Sequence, residues 1–387
     1  MIESIKIKNY LTCKNIKISF KQPLMALIGK NAAGKTNTLK GIEHACHWWT
    51  LVDIPEQKKS LIKDFSAEFL IKHKKVECIY SYKFYGKKNY YIKDSLSILK
   101  NGKEKISFQK KSKSTISIYF ENEEHTFEIP YEFSGLRFLV NSRLPYKDNP
   151  ELIKNISRYI NTLRHLSLDL IRVKYHSQQV LKINSIYLKN YIDWLENSIY
   201  ESEDELFGFK FYDFYHNEND LFNEYVEILK LLNIIDDIVI DTIQINKKTD
   251  SIITFYFVQS DTDLMFDSLS DGTKKIIIFL FHFFSKVQSI MLIEEPENSI
   301  HWGLLEDLLS VLDPYVDDNK KILFSTHSPQ ILNLLNPDQI VYLRNIDGVT
   351  KTKYLNDKAI KRVNKFLNEV GPLGEYATSG CLEEAIS

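Results

Sequence analysis

The 387-residue sequence has few cysteines, and their spacing supports neither a zinc ribbon nor a disulfide framework. Cys13, Cys46, Cys78 and Cys381 lie far apart without a C-x-x-C pair, which suits a reducing compartment. No run approaches the roughly 20 apolar residues that a membrane-spanning helix needs. The first nine residues alternate like a strand and do not resemble a signal peptide. We therefore expect a cytoplasmic protein without a membrane partner.

A net charge of one sign is also lacking, since the formal charge at pH 7 is only -1. Locally the balance differs: 16 lysines face five acidic residues between Lys58 and Lys113, whereas the stretch from Glu201 to Asp241 is acidic. Attraction to nucleic acid must therefore come from a local patch. The lysine-rich stretch is interpreted either as a solvated face or as a DNA-facing surface. Four neighbouring aromatic residues are candidates for stacking on bases: Tyr80, Tyr82, Phe84 and Tyr85.

The pattern of apolar residues predicts an α/β fold with an inserted helical part. The opening strands and helix are expected over Ser4–Asn9, Asn15–Phe20, Leu24–Ile28 and Thr36–Trp48. Short alternating segments between about residues 65 and 132 predict an antiparallel meander with a hairpin turn at Asn101-Gly102. Apolar residues at helical spacing from about Glu151 to Leu232 predict a helical insertion. Strands then alternate with helices up to Leu343.

One segment matches the phosphate-loop pattern G-x-x-x-x-G-K-[ST] in full, between an apolar strand and a helix. Its glycines let backbone amides curl around phosphates at a helix N-terminus. Lys35 places a charge on the β- and γ-phosphates, and the Thr36 hydroxyl is a ligand for Mg²⁺. The predicted ATP-binding residues of this loop are Gly29, Lys30, Asn31, Ala32, Ala33, Gly34, Lys35, Thr36 and Asn37.

Two carboxylates, Glu294 and Glu295, follow the apolar run that starts at Ile290. A strand that ends in this way is typical of a Walker B segment, in which one carboxylate holds Mg²⁺ and the next orients the attacking water. We assign Glu294 to the metal and Glu295 to catalysis. The alternative interpretation is that both residues cap the next helix.

Two further segments lie on either side of the double glutamate in the sequence. Ser270 and Gly272 precede the apolar helix Ile276–Phe284, about 20 residues before the double glutamate. On their own they form an ordinary helix cap, but in this place they resemble an ABC signature, which implies that Ser270 and the amides around Gly272 meet the γ-phosphate held by a second copy. His327 follows the strand Ile322–Phe324, where a histidine that senses the γ-phosphate is expected, so we count it with Glu295 as catalytic.

Together these elements resemble the ABC class of P-loop ATPases, in the branch of chromosome-maintenance, RecF and OLD-like proteins. Asn31, the glutamate pair followed by Pro296, and the roughly 230 residues between loop and signature carry this resemblance. It implies an ABC ATPase head with a mixed sheet around the P-loop. Residues 1–150 then form the N-terminal ATPase lobe, 151–235 the helical insertion, and 236–387 the C-terminal lobe with signature, Walker B and switch histidine.

The sequence is also similar to small AAA-type ATPases of bacterial antiphage operons, the PtuA-like proteins. The resemblance implies Mg²⁺-dependent ATP hydrolysis in a homodimer or higher homo-oligomer, acting as a switch for an effector nuclease. A Toprim-type nuclease domain is not expected after His327, so the nuclease would be a separate chain. The alternative function is a DNA repair or recombination ATPase that clamps DNA.

The sequence departs from the ABC pattern at the Q-loop. A glutamine is expected at the end of a strand over Arg137–Val140, and the chain has Asn141 there, which is our candidate substitute.

Overall fold

The computed structural model describes residues 1–48, 63–73, 75–86, 91–120, 123–130, 133–141, 159, 162–167, 170, 173–176, 182–245, 251–285, 290–298, 300–317 and 320–386. By contacts the chain forms two compact units. Unit 1 comprises Met1–Tyr175, Gln288–Glu294 and Val316–Ser387, and unit 2 comprises His176–Val287 and Glu295–Tyr315. Within the described part, no helix is both long and apolar enough to cross a membrane.

An antiparallel sheet of eight strands dominates unit 1, in the order β2-β1-β4-β5-β6-β7-β8-β9. Its strands are β1 (Ile2–Tyr10), β2 (Cys13–Ser19), β4 (Ser66–His73), β5 (Val76–Tyr85), β6 (Tyr91–Lys100), β7 (Lys103–Lys110), β8 (Thr115–Phe120) and β9 (Glu123–Glu128). Side chains alternate between a buried apolar face and a polar face, as the period of two requires. Asn101 and Gly102, both with positive φ, form the turn between β6 and β7.

A second, mixed sheet of six strands completes unit 1, in the order β10-β15-β16-β3-β17-β18. Its strands are β3 (Leu24–Ile28), β10 (Val173–His176), β15 (Ile290–Glu294), β16 (Lys321–Ser325), β17 (Ile340–Ile346) and β18 (Val349–Tyr354). The neighbours β15, β16, β3 and β17 run parallel, and β18 pairs antiparallel with β17. All five residues of β16 are buried, as expected for a central parallel strand.

Helix α1 (Lys35–Trp48) contacts both sheets of unit 1. Leu39, Ile42 and Cys46 are fully buried on it. The remaining helices of unit 1 are α2 (Gly135–Asn141), α8 (Pro329–Leu332), α9 (Asp357–Glu369), α10 (Leu373–Thr378) and α11 (Cys381–Ile386), with a 3-10 turn at Pro337–Gln339.

Unit 2 combines helices with a small antiparallel sheet in which β13 pairs with β11, β12 and β14. Its strands are β11 (Ile186–Tyr187), β12 (Asp237–Gln244), β13 (Ser251–Gln259) and β14 (Thr262–Leu264). Its helices are α3 (Leu188–Asn197), α4 (Glu203–Asn217), α5 (Asn219–Leu231), α6 (Asp271–Phe284) and α7 (Trp302–Leu312), with 3-10 turns at Phe266–Ser268, Pro296–Asn298 and Asp313–Tyr315. An aromatic cluster around the buried ring of Phe211 fills its core.

The predicted α/β class, the meander and the inserted helices are confirmed. The strand predicted over Arg137–Val140 is wrong, because this stretch lies in α2. Ser134 accepts a hydrogen bond from the Arg137 amide at 3.0 Å, and the carboxylate of Asp94 accepts from the amides of Gly135 and Leu136, which together stabilise a helix start.

The three predicted segments stay a prediction, and the two compact units group the chain in another way. Unit 2 joins helices of the predicted insertion to the signature helix α6, which was assigned to the segment 236–387. Strands β10 and β11 also lie within the predicted helical segment. Much of the stretch from 142 to 172, part of that helical prediction, lies outside the described residues.

Candidate nucleotide site

The segment Gly29–Thr36 leaves the buried strand β3 as a tight loop and enters α1 at Lys35. Gly29 and Gly34 have φ of 149° and 98°, a backbone region open to glycine. A Cβ at Gly29 would also collide with the carbonyl oxygen of Leu343, and one at Gly34 with the hydroxyl of Thr350. Both glycines are therefore required by conformation and by space. The loop amides thus precede the N-terminus of a 14-residue helix, a favourable place for phosphate groups.

Lys35 and Thr36 stand at the first turn of α1 with their functional groups turned to the loop and to β15. Lys35 is buried, and its Nζ donates to the carbonyl oxygen of Gly29 at 3.0 Å, so the ammonium spans the loop. The hydroxyl of Thr36 donates to Oε1 of Glu294. The two residues assigned to Mg²⁺, 258 positions apart in sequence, are therefore direct neighbours.

Strand order explains this neighbourhood. In the mixed sheet β16 lies between β15 and β3, and the register aligns Glu294 with Ser325 and Ser325 with Leu27. The carboxyl ends of these parallel strands therefore share one edge, where α/β sheets bind ligands. His327, two residues beyond β16, is exposed near this edge, and the backbone amide of Thr326 donates to the carbonyl oxygen of Leu27 at 3.1 Å.

The donor set fits a magnesium ion. Mg²⁺ prefers hard oxygen ligands and retains several waters, so a hydroxyl and a carboxylate are a sufficient protein contribution. Thr36 and Glu294 supply one of each. Among the described residues there is no group of three or more His, Cys, Asp or Glu side chains that would form a denser metal site.

Glu295, the predicted catalytic residue, begins the second stretch of unit 2 in a strained backbone conformation. Its φ is 41°, in the left-handed region that costs a non-glycine residue about 1–2 kcal/mol. Its Oε2 accepts from Nδ2 of Asn298 at 2.9 Å, and its carbonyl oxygen accepts from the Asn298 amide at 3.0 Å. One asparagine therefore holds both the backbone and the carboxylate of Glu295.

The signature residues form the start of α6 in unit 2. Ser270 is exposed at the N-cap, where its Oγ accepts from the Thr273 amide at 3.1 Å and donates to the Thr273 hydroxyl at 2.9 Å. Gly272 lies in the first helical turn. The capping role is thus present within this chain, and contact of Ser270 with a second copy stays a prediction.

The remaining predicted residues take different positions. Asn31 and Ala32 are exposed in the loop, and Ala33 is buried. The Asn37 side chain donates to the hydroxyl of Thr12 at 2.9 Å, so it is engaged with the β1–β2 turn. Asn141 ends α2 and does not end a strand, which removes the structural basis for assigning it to a Q-loop.

Sequence reasoning missed several contacts that the β17–β18 hairpin makes at the phosphate loop. Thr350 donates to the Thr12 hydroxyl at 2.8 Å beside Gly34, and Asn345 donates to the carbonyl oxygen of Ala32 at 3.1 Å. The hairpin itself carries an Asp347-Gly348 turn signal, and both residues have positive φ. That signal predicts a hairpin, but nothing in it indicates that the hairpin reaches the loop.

Comparisons with known proteins place this site in a family. A family model described as AAA domain, putative AbiEii toxin, type IV toxin–antitoxin system matches residues 24–333. No curated protein matches the chain. Solved structures that resemble it include the SMC head domain from Thermotoga maritima, with a TM-score of 0.43 and 11% identity over 92% of this chain and 99% of that one.

Two further similar structures are Smc heads bound to parts of ScpA. One is bound to the C-winged helix domain of ScpA. The other, derived from Pyrococcus furiosus, has an extended coiled coil and is bound to the C-terminal domain of ScpA. Their TM-scores are 0.46 and 0.44, each at 14% identity, covering 93% and 95% of this chain and 99% of theirs. Since the family model spans well over half of the sequence, including the phosphate loop and Glu294, the chain belongs to the family of AAA domains described as putative AbiEii toxins of type IV toxin–antitoxin systems.

Proposed function

We propose that the chain is an ABC-type ATPase that binds ATP and Mg²⁺ at Gly29–Thr36 and Glu294 and hydrolyses ATP in a homodimer or higher homo-oligomer. The hydrogen bond between Thr36 and Glu294 carries the proposal, because it joins a P-loop hydroxyl to a Walker B carboxylate at one sheet edge. Thr36 and Glu294 would hold the Mg²⁺ ion, which would supply positive charge against the phosphates of ATP. Lys35, which already spans the loop, would add a fixed positive charge.

In this function Glu295 orients the water that attacks the γ-phosphate. The bond from Asn298 restricts its carboxylate to a narrow range of positions, which favours a geometry ready for reaction. His327 would meet the γ-phosphate from the same sheet edge as the loop. Ser270 and the amides around Gly272 would complete the site of a second copy, so nucleotide binding and association are coupled.

The test compares three variants by ATP binding and by mass in solution. Lys35→Ala should lose ATP binding, whereas Glu295→Gln should bind ATP, fail to turn it over and accumulate as an ATP-dependent dimer measured by light scattering. Glu306→Gln, which removes one exposed charge from α7, is the matched control and should behave as wild type. A Glu295→Gln protein that stays monomeric with saturating ATP would contradict the proposed coupling between nucleotide binding and association.

We propose further that this switch serves a bacterial antiphage system with a separate effector nuclease. The support is the resemblance to PtuA-like ATPases and the membership of a family described as a putative toxin of a toxin–antitoxin system. Co-expression with neighbouring genes should lower phage plating, and Lys35→Ala should abolish that protection. Protection that persists in Lys35→Ala would separate the ATPase from defence.

A second candidate function, a DNA clamp, is favoured by a groove on the polar face of the eight-stranded sheet. The groove has a volume of about 480 Å³, and six lysines line it: Lys6, Lys8, Lys83, Lys93, Lys111 and the buried Lys110. Lys8 pairs with Ser66, Ser66 with Lys83 and Lys83 with Lys93, so these lysines form a row across the strands. At about 4.8 Å between strands the row spans roughly 15 Å from Lys8 to Lys93.

The charges of this groove are available to a polyanion. In the described part of the chain Lys6, Lys8, Lys83 and Lys93 form no ion pair with a carboxylate, whereas Lys111 pairs with Glu124 at 2.9 Å. Glu68 is the exposed acidic residue of the lining. Several cations in a row are the pattern that phosphate backbones bind.

The aromatic residues of this region favour a duplex over a single strand. Tyr80, Tyr82 and Phe84 are buried in the core and cannot stack on bases. Tyr85 is partly exposed, but the ammonium groups of Lys83 and Lys93 lie 5.5 and 4.9 Å from its ring centre. Because cations cover that ring, the groove offers charge more than stacking, which suits the backbone of double-stranded DNA.

Fluorescence anisotropy with a 30-bp duplex tests this candidate at two salt concentrations. Lys83→Glu/Lys93→Glu should weaken binding by at least about tenfold. It should also reduce the slope of the logarithm of the binding constant against the logarithm of salt concentration by the amount expected for about two lost phosphate contacts. The control Lys358→Glu/Lys361→Glu makes the same charge change on α9. Equal weakening in both variants, or tighter binding of a single strand, would contradict a duplex site in this groove.

A further inference from the structure

The β17–β18 hairpin and helix α11 contact the phosphate loop directly, although both lie beyond residue 333, where the family match ends. Gly29 and Gly34 abut the hairpin at Leu343 and Thr350, as described above. The loop is therefore supported by a segment that the motif does not include. All of these residues belong to unit 1.

Ala32 makes this support necessary. Its φ is 61°, a left-handed conformation that is unfavourable for alanine and readily adopted by glycine. The Asn345 side chain donates to the Ala32 carbonyl oxygen at 3.1 Å and thereby fixes the peptide in this orientation. The amide of Gly348 donates to Oδ1 of Asn345 at 2.9 Å, so the tip of the hairpin fixes the orientation of the Asn345 side chain.

A second contact reaches the loop from α11. Nζ of Lys30 lies 3.2 Å from Oε1 of Glu383, and the Arg344 guanidinium donates to the Glu383 carbonyl oxygen at 2.8 Å. Hydrogen bonds from Tyr342 and Lys30 lower the pKa of the Glu383 carboxyl, as expected for a carboxylate that accepts from both side chains. The neighbouring Leu382 is buried, so the helix is anchored at this point.

We propose that Asn345 and Glu383 are positioning residues of the phosphate loop, which hold it in its phosphate-accepting conformation before ATP arrives. The proposal rests on the proposed ATPase function. Asn345 carries the larger share, because it stabilises a strained peptide. Glu383 adds a smaller share, since its partner Lys30 is 80% exposed and such pairs are weak. Neither residue touches the reacting atoms, so both act on nucleotide affinity and leave the chemical step unchanged.

The decisive experiment is a double-mutant cycle on ATP affinity, with Asn345→Ala and Ala32→Gly. Asn345→Ala should raise the Kd for ATP about fivefold with kcat nearly unchanged, as expected for the loss of one hydrogen bond. Glycine at position 32 needs no support, so in the Ala32→Gly background the same change should raise Kd less than about twofold. Asn345→Asp, which keeps the acceptor for Gly348 but loses the donor, should weaken binding while preserving the thermal stability of the hairpin.

Glu383→Gln should raise the Kd about twofold. The matched controls are Asn364→Ala and Glu369→Gln, exposed positions on α9 that should leave Kd at the wild-type value. An equal effect of Asn345→Ala in both backgrounds would assign Asn345 to the stability of the hairpin and overturn the proposal. A wild-type Kd for Asn345→Ala would do the same while leaving the ATPase function intact. A wild-type chain that binds no ATP would overturn both.

Discussion

Replacement of Asp94 by asparagine tests the electrostatics of the core below the eight-stranded sheet. The Asp94 side chain is 3% exposed. Its Oδ1 accepts from the Gly135 amide at 2.8 Å, and its Oδ2 accepts from the Leu136 amide at 3.0 Å and the Tyr80 hydroxyl at 3.1 Å. Burial raises its pKa from 3.8 to about 6, although the two amides and the charge of Lys110 act in the opposite direction.

The sign of the pH effect follows from this shift. Because the folded-state pKa lies above the unfolded one, the folded chain binds the proton more tightly, and protonation stabilises it. This stabilisation is complete below pH 3.8 and is lost as the pH rises through about 6. With these two values, the contribution of Asp94 to the free energy of unfolding should be about 1.4 kcal/mol larger at pH 5 than at pH 7.5.

Urea unfolding of wild type and Asp94→Asn at pH 5 and pH 7.5 measures this contribution. Other titrating groups affect both proteins alike, so the change in their stability difference isolates Asp94. When the pH falls from 7.5 to 5, the free energy of unfolding of wild type should rise by about 1.4 kcal/mol relative to that of Asp94→Asn. Asn364→Ala, at an exposed position of α9, removes no titratable group; it is the control and should show no such change. A stability difference that is the same at both pH values would refute the reasoning. It would show that the hydrogen bonds from the Gly135 and Leu136 amides lower the pKa of Asp94 as much as burial raises it.

Two other predictions concern space and reactivity. Gly34→Ala should abolish ATP binding and destabilise the fold by about 1–3 kcal/mol, since its methyl group collides with Thr350 at a left-handed φ; calorimetry and nucleotide titration measure both effects. Iodoacetamide should modify Cys381 first in the native protein, because burial raises the pKa of Cys13, Cys46 and Cys78, the last to about 12. Mass spectrometry that finds early labelling at Cys78 would contradict the buried position of β5.

The parts of the site that were predictable are those whose chemistry is contiguous in sequence. The phosphate loop must combine a strand, two glycines and a lysine within a few residues, so its pattern predicts its conformation. The sequence predicts that Glu294 joins Thr36 at the metal, because an apolar strand that ends in two carboxylates is typical of a Walker B segment. Helix α2 was mistaken for a strand because its start depends on Asp94, some 40 residues away, and no local pattern indicates that contact.

Ala32 and Glu295 show why motif reasoning leaves part of such a site out. Each is a non-glycine residue with φ between 40° and 65°, a conformation that costs of order 1–3 kcal/mol, and each is hydrogen-bonded by an asparagine. Asn298 lies three residues from Glu295 and is visible as a turn, whereas Asn345 lies 313 residues from Ala32. Strain at a site persists where its surroundings determine the backbone more strongly than the residue itself does. The motifs contain the strained residues Ala32 and Glu295, but they do not contain Asn345, which stabilises the strained peptide at Ala32. Only the three-dimensional contacts of each strained peptide therefore identify the residues that maintain the candidate site.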